Sequence, residues 1–148
     1  MIRFFLGLTA MVLFIACGGE ETDTSTYWIV SVSSGDISEY DGDGLPWDVD
    51  DEPDIYVCVT IKNQKKCSTT IEDDYYPLWY EDLFTHISSQ TLMDGIFVEI
   101  WDDDIDGDEM LCSGKITIDQ ENLDYGSVTI VCQNNGGSTI DIDFEEEY

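Results

Sequence analysis

The sequence predicts an all-β fold, an antiparallel sandwich or barrel of about eight short strands. Three observations lead there. Apolar alternation of period two recurs through residues 27–144, while no segment sustains a 3.6-residue period with helix caps. Clusters of Gly, Pro, Asn and Asp punctuate the alternating runs. The runs themselves are rich in β-branched and aromatic residues, which fit a pleated, half-buried surface.

Tyr27-Trp28-Ile29-Val30-Ser31-Val32 opens the domain as a strand, and residues 36–40 continue or edge it. Asp41-Gly42-Asp43-Gly44-Leu45-Pro46 is a loop by its glycines and proline. Trp47-Asp48-Val49-Asp50-Asp51-Glu52-Pro53-Asp54 is an acidic cluster, followed by a strand over residues 55–61. Residues 68–71 return beside it. Asp73-Asp74-Tyr75-Tyr76-Pro77 is a turn, and the aromatic-rich stretch from 78 leads into a strand over 83–87. Strands over 96–101 and 115–118 flank a second acidic loop. Residues 128–132 and 139–144 finish the sheet across the turn Asn134-Asn135-Gly136-Gly137. Helix is confined to Gln120-Glu121-Asn122-Leu123. No repeat or linker interrupts residues 27–144, so 27–148 reads as one domain ending in a short acidic tail.

The chain has 148 residues, 33 of them acidic and 5 basic, for a formal net charge of -28. Nucleic acid is excluded as a partner, because binding it needs Lys and Arg to replace phosphate counterions. Anionic lipid is repelled unless a metal intervenes. Disorder is argued against by the 43% hydrophobic content and the 4 Trp and 8 Tyr.

Residues 1–16 stand apart from the fold. Arg3 supplies a positive n-region, and residues 4–15 form an apolar stretch too short to span a bilayer. It ends in Leu13-Phe14-Ile15-Ala16-Cys17-Gly18-Gly19. A small residue before a cysteine at this point resembles the lipobox of bacterial lipoproteins, with Phe14 where Leu is usual. The resemblance implies cleavage before Cys17 and acyl chains such as palmitate on it, an anchor in the cell envelope. Gly18, rather than Asp, after the cysteine implies the outer membrane. Residues 17–26 then read as the lipidated cysteine and a polar, acidic tether.

Four cysteines remain: Cys58, Cys67, Cys112 and Cys132. An even set in an exported domain predicts two disulfides, with three possible pairings. Zinc is disfavoured, since no Cys-x-x-Cys spacing occurs. A turn centred on Lys62-Asn63 sets Cys58 directly opposite Cys67, close enough for a disulfide. A longer loop would shift that register. Cys112 with Cys132 follows by elimination.

The densest acidic stretch is Ile100-Trp101-Asp102-Asp103-Asp104-Ile105-Asp106-Gly107-Asp108-Glu109, held between two strands. Crowded carboxylates repel, and a hard cation relieves them; Ca²⁺ takes six to eight oxygen ligands from such loops. A solvated acidic turn is the plainer alternative. If Asp102 and Asp104 point one way along the strand, Asp103 points the other, towards solvent. Asp102-x-Asp104-x-Asp106-Gly107 also resembles the start of an EF-hand loop. However, Ser113 stands at its twelfth position instead of a bidentate Glu, and strands flank it.

Three motifs in order resemble those of C2 domains, calcium-dependent lipid-binding sandwiches of eight strands. Asp48 lies six residues before Asp54, and Asp54-Ile55-Tyr56-Val57 stands where that family has Asp-Pro-Tyr-Val. Pro77-Leu78-Trp79-Tyr80-Glu81 is similar to its Asn-Pro-x-Trp-Asn-Glu, with Tyr76 and Tyr80 replacing the asparagines. Val98-Glu99-Ile100-Trp101-Asp102-Asp103-Asp104 matches its third-loop strand ending in Asp-x-Asp. The resemblance implies an antiparallel eight-stranded C2-like β-sandwich. It implies Asp48, Asp54, Asp102 and Asp104 as Ca²⁺ ligands. The family's fifth aspartate would fall at Met110, so Asp108 takes that role, with Asp106 in reserve. The expected function is Ca²⁺-mediated binding of lipid or another anionic surface, by phospholipid or a protein ligand. The alternative is a structural or protein-interaction domain in which calcium only rigidifies the loops. No catalysis is expected, since the lone histidine, His86, has no serine motif or cysteine nucleophile beside it. Trp28, Trp79 and Trp101 are expected in the core, and Trp47 at a loop tip.

Overall fold

The computed structural model describes residues 26–40, 45–46, 52–104, 107–133 and 136–148. Cys17, Trp47, Asp48 and Asp106 lie outside them, as do residues 1–16 and most of the tether. The described chain forms two four-stranded antiparallel sheets facing each other. One runs in the order β4 (Leu78–Ser88), β1 (Tyr27–Asp36), β8 (Thr139–Glu147), β7 (Ser127–Val131). The other runs β3 (Gln64–Cys67), β2 (Ile55–Ile61), β5 (Ile96–Asp102), β6 (Glu109–Ile116). This is the expected eight-stranded sandwich.

Alternation explains the layers. In β8, Ile140, Ile142 and Phe144 are buried while Asp141 and Asp143 face outwards. In β2 and β5, Ile55, Val57, Val59, Val98 and Ile100 point inwards to meet Val30, Val32 and Phe84 of the opposite sheet. Outward polar groups knit the sheet surface. Asp141 accepts from Ser34 Oγ at 2.9 Å and from Thr129 Oγ1 at 2.6 Å.

Both cysteine pairs form as anticipated. Cys58 is the register partner of Cys67, and their disulfide joins β2 to β3. Cys112–Cys132 ties β6 of one sheet to the residue after β7 of the other. That bridge staples the two layers together.

Several elements depart from expectation: β6 starts at Glu109 and ends at Ile116 where a strand was expected over 115–118, and β4 begins at Leu78, five residues before the strand expected over 83–87. The hairpin arm expected over 64–71 begins where anticipated, as β3, but ends at Cys67; of residues 68–71 only Ile71 pairs, in an isolated bridge to Ile55. A second helix also forms, α1 (Ser89–Met93), capped by Ser88, whose side chain accepts from Thr91 N. It buries Leu92 completely. A single turn is too short to display a 3.6 period, so its signal is invisible beside strand alternation. The anticipated helix, α2 (Gln120–Tyr125), has a capping box between Asp119 and Asn122. It ends at Gly126, whose left-handed φ of 84° suits glycine at a helix C-terminus.

Candidate functional site

The site is assembled by strand pairing. β2 and β5 pair so that Ile55, the first residue of one, faces Asp102, the last of the other. The residues beyond each strand are therefore neighbours, although they lie 48 positions apart. Asp54 N donates to Asp102 Oδ1 at 2.8 Å, and Asp103 N donates to Asp54 O at 2.8 Å. A third segment joins them. Ile71 and Ile55 exchange backbone hydrogen bonds of 2.9 Å in both directions, and Asp74 N donates to Pro53 O at 3.3 Å. Asp73 N donates to Asp54 Oδ1 at 2.8 Å. Thr70 Oγ1 donates to Asp103 Oδ2 at 3.1 Å.

Residues 52–54, 72–74 and 102–104 thus meet at one end of the sandwich. They bring Glu52, Asp54, Glu72, Asp73, Asp74, Asp102, Asp103 and Asp104 together, with no lysine in these segments. Asp102 is the inward member of its strand and only 1% exposed. A buried carboxylate is costly without hydrogen bonds to its charged form. The Asp54 amide supplies one. Asp103 is exposed, as alternation anticipates, and Asp104 is half-buried.

Of the five expected ligands, the structure joins Asp54 and Asp102 directly, with Asp104 two residues on. Asp48 lies outside the described residues. Asp108 takes a different partner: Tyr56 Oη donates to its Oδ2 at 2.7 Å on the outward face of β2. There Tyr56 stacks parallel to Trp101, ring centroids 6.4 Å apart. Trp101 therefore lies on the outer surface and not in the core, because inward Ile100 and Asp102 leave it the opposite face. Lys65 Nζ sits 5.8 Å from its ring and 2.6 Å from Glu99. Burial pushes the Tyr56 phenol up to about 12, aided by its hydrogen bond to Asp108 and by the charges of Asp108, Asp103 and Glu99. It stays protonated and donating through the neutral range.

Trp28 is buried, its Nε1 donating to Ser89 Oγ at 2.8 Å. Trp79 packs against the core edge, its Nε1 donating to Thr69 O at 2.8 Å. His86 is exposed, stacks on Tyr27 at 3.9 Å and lies 3.4 Å from Glu147.

The donor set suits a hard divalent cation: carboxylates from two loops, already drawn together and flanked by a third acidic turn. Among the described residues, no three carboxylate, imidazole or thiolate side chains converge closely enough to hold a metal by themselves. Two of the sequence-predicted contributors, Asp48 and Asp106, lie outside those residues. Sequence reading missed Asp73. Its amide, at a left-handed φ of 54°, holds the Asp54 carboxylate in place. The only signal was its position in the acidic run Glu72-Asp73-Asp74, read as a turn.

Comparison with known proteins places this fold. A family model described as "C2 domain" matches residues 36–132. No curated protein matches the chain. Solved structures do. A human GIVD cytosolic phospholipase A2 in complex with methyl gamma-linolenyl fluorophosphonate is 19% identical with a TM-score of 0.57, covering 84% of this chain and 17% of that one. The calcium-bound pair of C2 domains from extended-synaptotagmin 2 is 17% identical at 0.59, covering 82% and 45%. A structure described as a C2 domain is 20% identical at 0.55, covering 83% and 99%. The chain thus spans less than one fifth of the phospholipase that it matches.

Proposed function

We propose, from the premise that this chain belongs to the C2 domain family, that its acidic end takes up Ca²⁺ and binds an anionic surface through it. The observation that carries this reading is the Asp54–Asp102 junction. It brings the first and third acidic segments to one point, held by hydrogen bonds to their own backbone. Asp48, Asp54, Asp102 and Asp104 would hold the ion, joined by Asp108 once it leaves Tyr56. Bound Ca²⁺ supplies positive charge that an acidic domain otherwise lacks, and so a bridge to lipid phosphate or a protein carboxylate. The chain's own residues present the acceptor oxygens, and Asp102 fixes the Asp54 backbone against which they are arrayed. A calcium-bound structure among the similar folds supports the reading.

The same proposal places the protein in the cell envelope, exported by residues 1–16 and held by lipid on Cys17, in the outer membrane by the Gly18 rule. It acts by binding and not by catalysis. Its one histidine is exposed and engaged with Tyr27 and Glu147 at the end away from the Asp54–Asp102 junction.

Isothermal titration of the non-acylated chain (Cys17→Ala) with Ca²⁺ is the direct test. Binding in the range of roughly 10⁻⁴ to 10⁻³ M is expected, as for extracellular modules. Asp102→Asn with Asp104→Asn should abolish the heat; a flat titration of the parent chain sinks the reading. Metabolic labelling with a palmitate analogue should mark the chain and lose the mark in Cys17→Ser.

The net charge of -28, with only four lysines beyond Arg3, favours a second reading in which calcium merely rigidifies the loops for a protein contact. Co-sedimentation of the non-acylated chain with anionic liposomes separates the two. Calcium-dependent pelleting supports the first, and none supports the second.

A further inference from the structure

Each sheet ends in two edge strands, whose outer backbone groups are a template for pairing with another chain. Three of the four edges are guarded. β3 is four exposed residues that include Lys65 and Lys66. β4 carries Glu81, Asp82 and His86, breaks register against β1 three times, and turns Tyr80 and His86 to left-handed φ of 49° and 58°. β6 carries Glu109 and Lys115 and slips register at Trp101. β7, Ser127-Val128-Thr129-Ile130-Val131, has no charge, no proline and no slip. Among the described residues it pairs with β8 alone.

β7 runs in the same direction as β1, from the entry end, where Thr26 leads the chain into β1, towards the acidic end. Two hydrogen bonds fix which of its backbone groups β8 engages. Cys132 N donates to Ser138 O, and Phe144 N donates to Gly126 O, each at 2.8 Å. In an antiparallel pair such bonds recur at every second residue, so Gly126, Val128, Ile130 and Cys132 face β8. Ser127, Thr129 and Val131 therefore turn their N–H and C=O groups off the edge.

A groove of about 570 Å³ lies beside that edge, between β7 and β6. Buried Val98, Ile100, Leu111 and Ile130 line it, and half-exposed Met110 and Val131 form its rims. Gly114 opens it further. It pairs with inward Val98, yet a Cβ at that position would meet nothing within 4 Å. The Cys112–Cys132 disulfide ties the two walls together and so fixes their spacing.

Charge selects the occupant. The sheet that contains β7 has no lysine or arginine in any of its four strands. On its outer face Asp143 stands opposite Ser127, and Asp141 opposite Thr129. A second copy would bring an identical acidic row, with a formal charge of -28 on each chain. A strand whose outward residues are Lys or Arg instead meets opposite charge there, while its alternate residues drop into the apolar groove.

We propose that the β7 edge and the β6–β7 groove receive an extended segment of a partner protein as a fifth strand, its apolar residues in the groove alternating with Lys or Arg beside Asp141 and Asp143. The inference stands apart from calcium uptake at the Asp54–Asp102 junction.

The probe is a short capped peptide of alternating Lys and Val that spans the five residues of β7, added without Ca²⁺ to the full chain carrying Cys17→Ala. Residue-resolved amide hydrogen exchange reads the edge. The Thr129 and Val131 amides should slow about tenfold or more at saturating peptide, while those of Val128 and Ile130 stay as they were. The same peptide N-methylated along its backbone keeps its charge and loses its donors, and should protect neither amide. If it binds as tightly as the unmethylated peptide, or if binding leaves Thr129 and Val131 unprotected, attraction to an acidic surface is all there is, and the proposal is overturned. That comparison needs no variant. Gly114→Val fills the groove where no atom stands in the way and should weaken the peptide about tenfold, with the urea midpoint unchanged; unaltered affinity overturns the groove. Thr129→Pro removes an edge N–H that β8 does not engage and should weaken binding similarly; if this variant unfolds, Gly114→Val and the methylated peptide still decide. A peptide of alternating Glu and Val should not bind, and equal binding would overturn the basic partner. Protection of Thr129 and Val131 in the chain alone, with a dimer in sedimentation, would put a second copy on the edge and overturn it as well.

Discussion

The acidic end and the entry end of the sandwich are held by different forces. At the entry end, apolar burial closes the fold: Leu92 of α1 is fully buried and Leu123 of α2 nearly so. At the acidic end that burial runs out, and carboxylates take over as acceptors for backbone amides. Asp102 receives the Asp54 amide, Asp54 the Asp73 amide, and Asp74 the Tyr76 amide at 2.7 Å. The same groups that would meet a cation therefore also hold the loops. One end can lose ligand binding and stability together; the other can lose stability alone.

Substitutions at the two ends should separate on those lines. Leu92→Ala opens a cavity at the entry end and should cost about 3 kcal/mol in urea unfolding, with calcium titration unchanged. An equal loss of calcium affinity would break the contrast between the ends. Replacing Cys112 and Cys132 with Ser removes the staple between the layers. For a sequence separation of 20 residues it should cost about 3 kcal/mol, and reduction of the parent protein, which also opens Cys58–Cys67, should cost more. Asp102→Ala deprives the Asp54 amide of its acceptor and should cost about 2 kcal/mol while abolishing calcium uptake. Asp102→Asn keeps a carbonyl acceptor at that position. It should recover most of the stability but not the uptake, which divides the two duties of this side chain.

Tyr56 gives the smallest effect and the sharpest pH signature. Its folded pKa of about 12 lies above the unfolded value of 10. Its contribution is therefore fully present below pH 10 and fades as the pH rises through 12. Because the ring is partly solvated, Tyr56→Phe should cost under about 1 kcal/mol. Phenolate absorbance should show a late-titrating component that the substitution removes. If Asp108 joins the ion, the substitution should tighten calcium binding slightly by freeing that carboxylate.

Much of this was legible in the residues. Period-two alternation marked the strands, and the Lys62-Asn63 turn set Cys58 opposite Cys67. Asp54 and Asp102 stood out as the ends of apolar runs. What escaped was what depends on distant partners. Helix α1 is one turn long, so its apolar spacing carries no period. Trp101 was expected in the core because it is large and apolar, yet alternation also allows the outer face. Asp108 was given the role of the fifth aspartate because the resemblance puts that residue at Met110; its hydrogen bond from Tyr56, just before β6 begins at Glu109, could not be read from the sequence.

Strand composition, an even set of cysteines and a store of carboxylates are written in local pattern and count, and so can be read from the residues. Only the tertiary structure decided which face each strand turns inwards and which acidic segments meet. Alternation is blind to a choice between two faces. That choice is made by register between residues nearly fifty positions apart, where pairing Ile55 with Asp102 buries one aspartate, exposes the next and closes two loops on each other.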